Sequence, residues 1–135
     1  MTTCALVVAG GAGERMRRSG SDVAKPLVVV AGATLVEHNV RALLDAGIDD
    51  IRVAVSPLAP DVADHVRSTV AEAVAGRGAR LEIIEEDPPL GSLGAAGLLR
   101  DVDEVLVVNA DNVTALDLAA VVAEHRASGA TMTLA

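Results

Sequence analysis

Two polar clusters interrupt an otherwise aliphatic chain, and each directly follows an apolar run. The first begins Gly10-Gly11-Ala12-Gly13, immediately after Cys4–Ala9. Glycines at that place let the backbone turn sharply and approach a ligand without Cβ interference, and their amides can bind phosphate oxygens. Residues 11–26 also hold Arg15, Arg17, Arg18 and Lys25 against Glu14 and Asp22. That is a local +2 within a total of −8, so the rest of the chain carries −10. A basic island on a glycine-rich loop in an acidic protein suits a polyphosphate; a solvated charged loop is the plainer alternative. Lys25 is the only lysine, and Pro26 biases it toward an extended backbone. Two familiar phosphate motifs fit the sequence poorly. A dinucleotide fingerprint needs a glycine where Met16 stands and an acid where Ser56 stands, and no Gly-Lys-Ser/Thr triplet of a P-loop occurs.

The second cluster is Asn109-Ala110-Asp111-Asn112, which ends the apolar run Val105–Val108. An Asp there projects a carboxylate from the C-terminal tip of a strand, where open α/β sheets bind ligands. Beside an anionic nucleotide that carboxylate repels unless a cation intervenes, and Mg²⁺ held by a carboxylate plus phosphates removes the conflict. The same residue also suits an ordinary loop or cap, with Asn109 and Asn112 shaping the turn. In Pro89-Leu90-Gly91-Ser92-Leu93-Gly94-Ala95-Ala96-Gly97, small residues can let backbone groups reach a flat base edge, or simply join a loop to a helix. His38, His65 and His125 all fall on expected helices and read as structural. No Ser-His-Asp or Cys-His arrangement can be argued.

The elements that must position these residues alternate. Short apolar runs at Cys4–Ala9, Leu27–Val30, Ile51–Val55, Leu81–Ile84, Val105–Val108 and Thr131–Leu134 read as strands, several apolar on both faces as parallel-sheet strands are. Thr34 and Glu37 form a capping-box pattern that opens a helix with Leu35, Val36, Val40, Leu43 and Leu44 on one face, stopped by Gly47. A second helix is expected from Pro60 to Ala75, with Val62, Val66, Val70 and Val74 at four-residue spacing. A third is capped by Thr114, with Asp117 in its first turn and Gly129 past its end, and a shorter one covers Ser92–Leu99. The predicted class is α/β, Rossmann-like, a mostly parallel sheet with helices on both faces.

Composition narrows the function further. The 135 residues suit one domain, and 51% hydrophobic content argues against disorder. The complete lack of Phe, Tyr and Trp removes aromatic stacking as a way to hold bases or single strands, and the acidic charge argues against nucleic acid. Cys4 is alone within an apolar run and is expected to be buried and inert, which suits a reducing cytoplasm. No apolar run approaches the ~18 residues of a membrane span, so the expectation is a cytoplasmic protein with no membrane partner.

In order along the chain, these landmarks resemble the sugar-1-phosphate nucleotidylyltransferase family, whose signature is Gly-Gly-x-Gly-Thr-Arg-Leu followed at some distance by Pro-Lys-Pro. Here Glu14 stands for the Thr, Met16 for the Leu and Ala24 for the first Pro, and Arg18 stands where a Pro is frequent. The Arg15-to-Lys25 interval matches this family, while the related molybdopterin and methylerythritol enzymes have a shorter one. The Ser-Asp-Val-Ala-Lys-Pro ending is most similar to heptose- and mannose-1-phosphate guanylyltransferases. The resemblance implies a central strand order 3-2-1-4 that brings the glycine loop beside Asp111. It implies catalytic roles for Arg15 and Lys25 and nucleotide contacts from Ala9, Gly10, Gly11, Ala12, Gly13, Gly91, Ser92 and Asn109. It also implies Mg²⁺ on Asp111, with an NTP (GTP among the candidates) and a sugar 1-phosphate as partners. Residues 1–135 would then be the nucleotide-binding N-terminal part, with the acceptor-sugar half absent. A homo-oligomer stays open, as do two rival functions: a non-catalytic nucleotide-sensing domain of the same ancestry, and an unrelated α/β interaction module.

Overall fold

The computed structural model describes residues 1–10, 23–88, 90–91 and 93–135. Four strands form one sheet: β1 (Thr3–Ala9), β4 (Asp50–Val55), β5 (Arg80–Glu85) and β6 (Glu104–Asn109), in the order β5-β4-β1-β6 and parallel throughout. Renumbered along the sheet, this is the expected 3-2-1-4 order. All four strands therefore end at one edge, and the strand order reverses between β1 and β6.

Alternation along the strands divides the core in two. Ala5, Val7, Ala9, Ile51, Val53 and Val55 face α1 (Leu35–Asp45), α2 (Pro60–His65), its continuation, and Leu118 of α4 (Leu118–Ser128). Leu6 and Ala54 face the other way, against Ala95 in a short 3-10 helix at Ala95–Leu98. Arg52 shares that second side. Its side chain is only 3% exposed, yet it is satisfied by Asp50 at 2.9 Å and Asp101 at 2.8 Å. A buried guanidinium needs such partners, and hydrogen bonding from Arg52 holds the Asp101 pKa down at about 2. Cys4 is fully buried, and burial pushes its thiol pKa up, as an inert core cysteine requires.

Local sequence explains the helices. Thr34 and Glu37 make the reciprocal capping box, and burial's opposition to a charged Glu37 is outweighed by hydrogen bonds from Thr34, so its pKa is lowered. The helix stops where Gly47 takes φ +83°, with Ile48 N–H donating to Leu43 O at 3.1 Å and Gly47 N–H to Leu44 O at 3.0 Å. Such closure needs a left-handed residue. Beyond α2 the chain continues through a π-helical stretch (Val66–Val70) into α3 (Ala71–Gly76). In an ordinary α-helix a four-residue spacing drifts around the axis by about 40° per step. The underwound middle corrects that drift, and Val62, Val66, Val70 and Val74 all stay buried at 0–1% exposure.

Four expectations are corrected. Leu27–Val30 is not a sheet strand: Pro26 lies in a 3-10 turn at Lys25–Leu27, and only β2 (Val29–Val30) follows, pairing antiparallel with β3 (Ala33–Thr34) in a small hairpin. Thr131–Leu134 forms no strand, because Met132 and Leu134 are exposed and pair with no neighbour strand. The cap of α4 is Asp117, whose Oδ1 accepts from Ala120 N–H at 3.0 Å, while Thr114 closes a smaller turn with Leu116 N–H. The short helix predicted over Ser92–Leu99 narrows to the 3-10 turn, with Ser92 outside the described residues.

Candidate active site

The common C-terminal edge of the sheet gathers Ala9 and Gly10 from β1, Ser56 after β4, Glu86 after β5, and Asn109 to Asp111 from β6. Register fixes their neighbourhood: Val8 lies opposite Asn109 and Ala9 opposite Val55. The chain is pinned past the strand end as well, since Ala110 N–H donates to Val8 O at 3.0 Å and Ala110 is fully buried. The next residue, Asp111, is exposed. Lys25 approaches it from the 3-10 turn, with Nζ 3.7 Å from Asp111 Oδ2 and both side chains about half exposed. Two residues singled out 86 positions apart in the sequence thus meet at one edge. In water such a pair contributes little stability, about 0–1 kcal/mol, and both groups stay available to a ligand.

Gly10 is tightly bounded. A methyl group on its Cα would overlap Glu86 Oε2, so any larger residue here requires the Glu86 carboxyl to move. Glu86 was not singled out in the sequence, where it reads as one of three consecutive acids. It is 3% exposed, its Oε1 has no hydrogen-bond partner among the described residues, and burial pushes its pKa up. Its backbone N–H donates to Val55 O at 2.9 Å, which continues the sheet edge one residue beyond β5. A buried carboxyl oxygen without a partner among the described residues is costly, and this one sits beside the first strand's tip.

Gly91 adopts φ +81°, a left-handed conformation that favours glycine, and its carbonyl accepts from Gly94 N–H at 3.2 Å on the way to the second face. Gly11, Ala12, Gly13, Arg15 and Ser92 lie outside the described residues. Each of the three histidines has a local polar contact: His38 Nε2 lies 2.6 Å from Val30 O, His65 Nε2 3.0 Å from Thr34 Oγ1, and His125 Nδ1 2.8 Å from Thr133 Oγ1. Among the described residues no three His, Cys, Asp or Glu side chains gather as a metal cage, and no helix is long and apolar enough to cross a membrane. Asp111 offers a single oxygen donor group. Mg²⁺ usually keeps several waters and binds through one or two carboxylates plus substrate phosphates, so this donor set fits it.

With a parallel sheet, a glycine-tipped first strand and a lysine–aspartate pair at the β1–β6 edge, comparison with known proteins is decisive. Residues 4–135 match the family model described as nucleotidyl transferase. The chain belongs to that family. It is 32% identical over 138 residues to mannose-1-phosphate guanylyltransferase of Mycobacterium tuberculosis, covering 96% of this chain and 36% of the relative. It is 30% identical over 130 residues to the catalytic subunit beta of the Xenopus tropicalis mannose-1-phosphate guanylyltransferase, covering 93% and 35%. The crystal structure of HddC from Yersinia pseudotuberculosis complexed with GMP-PN superposes with a TM-score of 0.74 at 25% identity, covering 93% of this chain and 54% of that one. This nucleotidyl transferase chain therefore spans about a third of the curated relatives it matches and about half of the solved chain.

Proposed function

We propose that this domain binds an NTP and serves the transfer of its nucleoside monophosphate to a sugar 1-phosphate. The observation that carries the reading is the meeting of Lys25, from the 3-10 turn, with Asp111, just past the end of β6, at the point where the strand order reverses. Open α/β sheets bind ligands in that crevice. A phosphate oxygen of the sugar phosphate attacks the α-phosphorus, the bond from that phosphorus to the bridging oxygen breaks, and pyrophosphate leaves. This chemistry calls for positioning and charge neutralisation rather than a protein nucleophile. Lys25 and Arg15 would hold the phosphates; the backbone at Ala9 to Gly13, Gly91, Ser92 and Asn109 would hold the nucleoside. Asp111 would hold Mg²⁺, which when bound neutralises charge on the phosphates.

Glu86 favours guanine as the base. A carboxylate pairs best with two donors side by side, and the N1–H and N2–H₂ edge of guanine offers that pair. A base seated against Gly10 would lie beside this carboxyl and supply the partner that Oε1 lacks among the described residues.

The residues that hold the sugar phosphate would lie outside these 135. Support comes from the relatives' greater length and from β6. Val105 to Val108 are all apolar yet only half buried, and the outer side of β6 pairs with no described strand. It opens on a groove of about 920 Å³ lined also by Val121, Val122 and Met132. An apolar open edge of this kind asks for a covering strand, and we place the acceptor half there.

One experiment tests the reading: incubation of the chain with each NTP, Mg²⁺ and a panel of sugar 1-phosphates, with pyrophosphate release and NTP binding measured together. GTP binding with little turnover is expected from these residues alone. Orientation of two reactants can contribute roughly 7–11 kcal/mol, so a missing acceptor site should nearly abolish the rate. Turnover near ~1 s⁻¹, an ordinary enzyme rate, would refute the half-site reading. Binding of a nucleotide without turnover even after extension through the acceptor half would favour a sensing domain, and no nucleotide binding at all an unrelated interaction module.

A further inference from the structure

Asn39 lies mid-way along α1 on the face that packs on the sheet, between buried Val36, Val40 and Leu43, and is itself 4% exposed. A primary amide on an apolar helix face is costly unless its donors are used. Both are: Nδ2 donates to Leu35 O at 2.9 Å, one turn back, and to Asn112 O at 2.7 Å, 73 residues away. The second bond holds the residue after Asp111 to helix α1. The residue before Asp111 is held to β1 by the Ala110 N–H to Val8 O bond. Asp111 is therefore exposed but bracketed by two fixed anchors, one on each side in sequence and on two different elements.

The geometry points to Asn39 as a positioning residue that aims the Asp111 carboxylate toward Lys25 and the nucleotide phosphates. This rests on the reading of Asp111 as the Mg²⁺ ligand. Without the α1 anchor, the carbonyl of Asn112 loses its buried donor and the Asp111 backbone is held on one side only. A carboxylate displaced by a fraction of an ångström still carries its charge, but it no longer meets the metal–phosphate unit in one fixed geometry. The expected defect is thus in the metal-dependent share of nucleotide affinity and not in the fold or in metal-free binding.

The test is calorimetric GTP binding to the chain in excess EDTA and in excess Mg²⁺, with the ratio of the two dissociation constants as readout, alongside thermal melts. Asp111→Asn should bring the ratio close to one. Asn39→Leu keeps the number of side-chain heavy atoms and suits the apolar face; it should reduce the ratio by about 3- to 10-fold, with the EDTA constant unchanged and a single cooperative melt retained. Asn39→Gln, which keeps the amide, should recover part of the ratio. A wild-type ratio in Asn39→Leu while Asp111→Asn has lost it overturns the positioning role. So does a parallel loss of both constants and of stability, which marks a core residue only. An unchanged ratio in Asp111→Asn, or no GTP binding by the wild-type chain, would instead overturn the underlying functional reading.

Discussion

Replacing Glu86 with methionine should make the protein more stable and less selective. The buried carboxyl has one oxygen without a partner among the described residues, and burial raises its pKa. An unsatisfied buried polar group costs about 1–3 kcal/mol, more when charged. Methionine has the same unbranched reach and no charged or strongly polar atom, so it recovers most of that cost. For a chain of this size, 1 kcal/mol corresponds to very roughly 4 °C, which puts the expected rise in Tm at about 3–10 °C. The sign of the pH dependence follows from linkage. A carboxyl whose folded pKa is raised is more readily ionised when unfolded, so the wild type loses stability as pH rises from the unfolded value of about 4.3 toward the folded one. The advantage of the Glu86→Met protein should therefore be small near pH 4, grow with pH, and level off above the folded pKa. Thermal melts between pH 4 and 8 measure this. Competition between GTP and the other NTPs measures selectivity, which should fall by about tenfold or more for loss of a charged pair of hydrogen bonds. A Glu86→Met protein that melts lower at pH 7, or whose advantage does not vary with pH, would show that the carboxylate has a stabilising native partner and is not waiting for a ligand.

Lys25→Ala should weaken NTP binding by about 10- to 100-fold, the loss of one charge-assisted hydrogen bond of roughly 1.5–3 kcal/mol, and Lys25→Arg should recover only part of it; unchanged affinity by calorimetry would mean a solvated surface lysine. Asp101, lowered to about 2 by hydrogen bonding from Arg52, contributes stability that is fully present above its unfolded pKa of about 3.9 and lost as pH falls toward 2. Asp101→Asn should accordingly lower Tm at pH 6 and flatten its dependence between pH 4 and 2, while leaving nucleotide affinity unchanged because the residue lies at the opposite end of the sheet from Asp111.

What could be read in the sequence was whatever local chemistry dictates. The four sheet strands were legible as short aliphatic runs, and in β1 and β4 core covers both faces, which leaves such a run no other use; the capping box at Thr34 and the stop at Gly47 were legible because end amides and carbonyls must find partners within a few residues. The misreadings arose where the deciding contact is distant or missing. Leu27–Val30 has a strand's composition, but Pro26 turns the chain first, and Thr131–Leu134 pairs with none of the described strands although the outer edge of β6 is open. Both halves of the Lys25–Asp111 pair were visible as residue types, yet their meeting follows only from parallel strands that end together. Glu86 was hidden by its exposed neighbours Glu85 and Asp87. The available signal was positional: two residues beyond an apolar run, strand alternation turns every second side chain inward, and an inward acid at a ligand-binding edge needs a reason. Asn39 carried a comparable signal, a primary amide between Val36, Val40 and Leu43 on a predicted core face. Both are polar groups at apolar positions, and the fold tolerates each for a partner far along the chain or outside it. For Asn39 that partner is the turn carrying Asp111; for Glu86 the described residues supply none to one of its oxygens, which is why a ligand is the natural candidate.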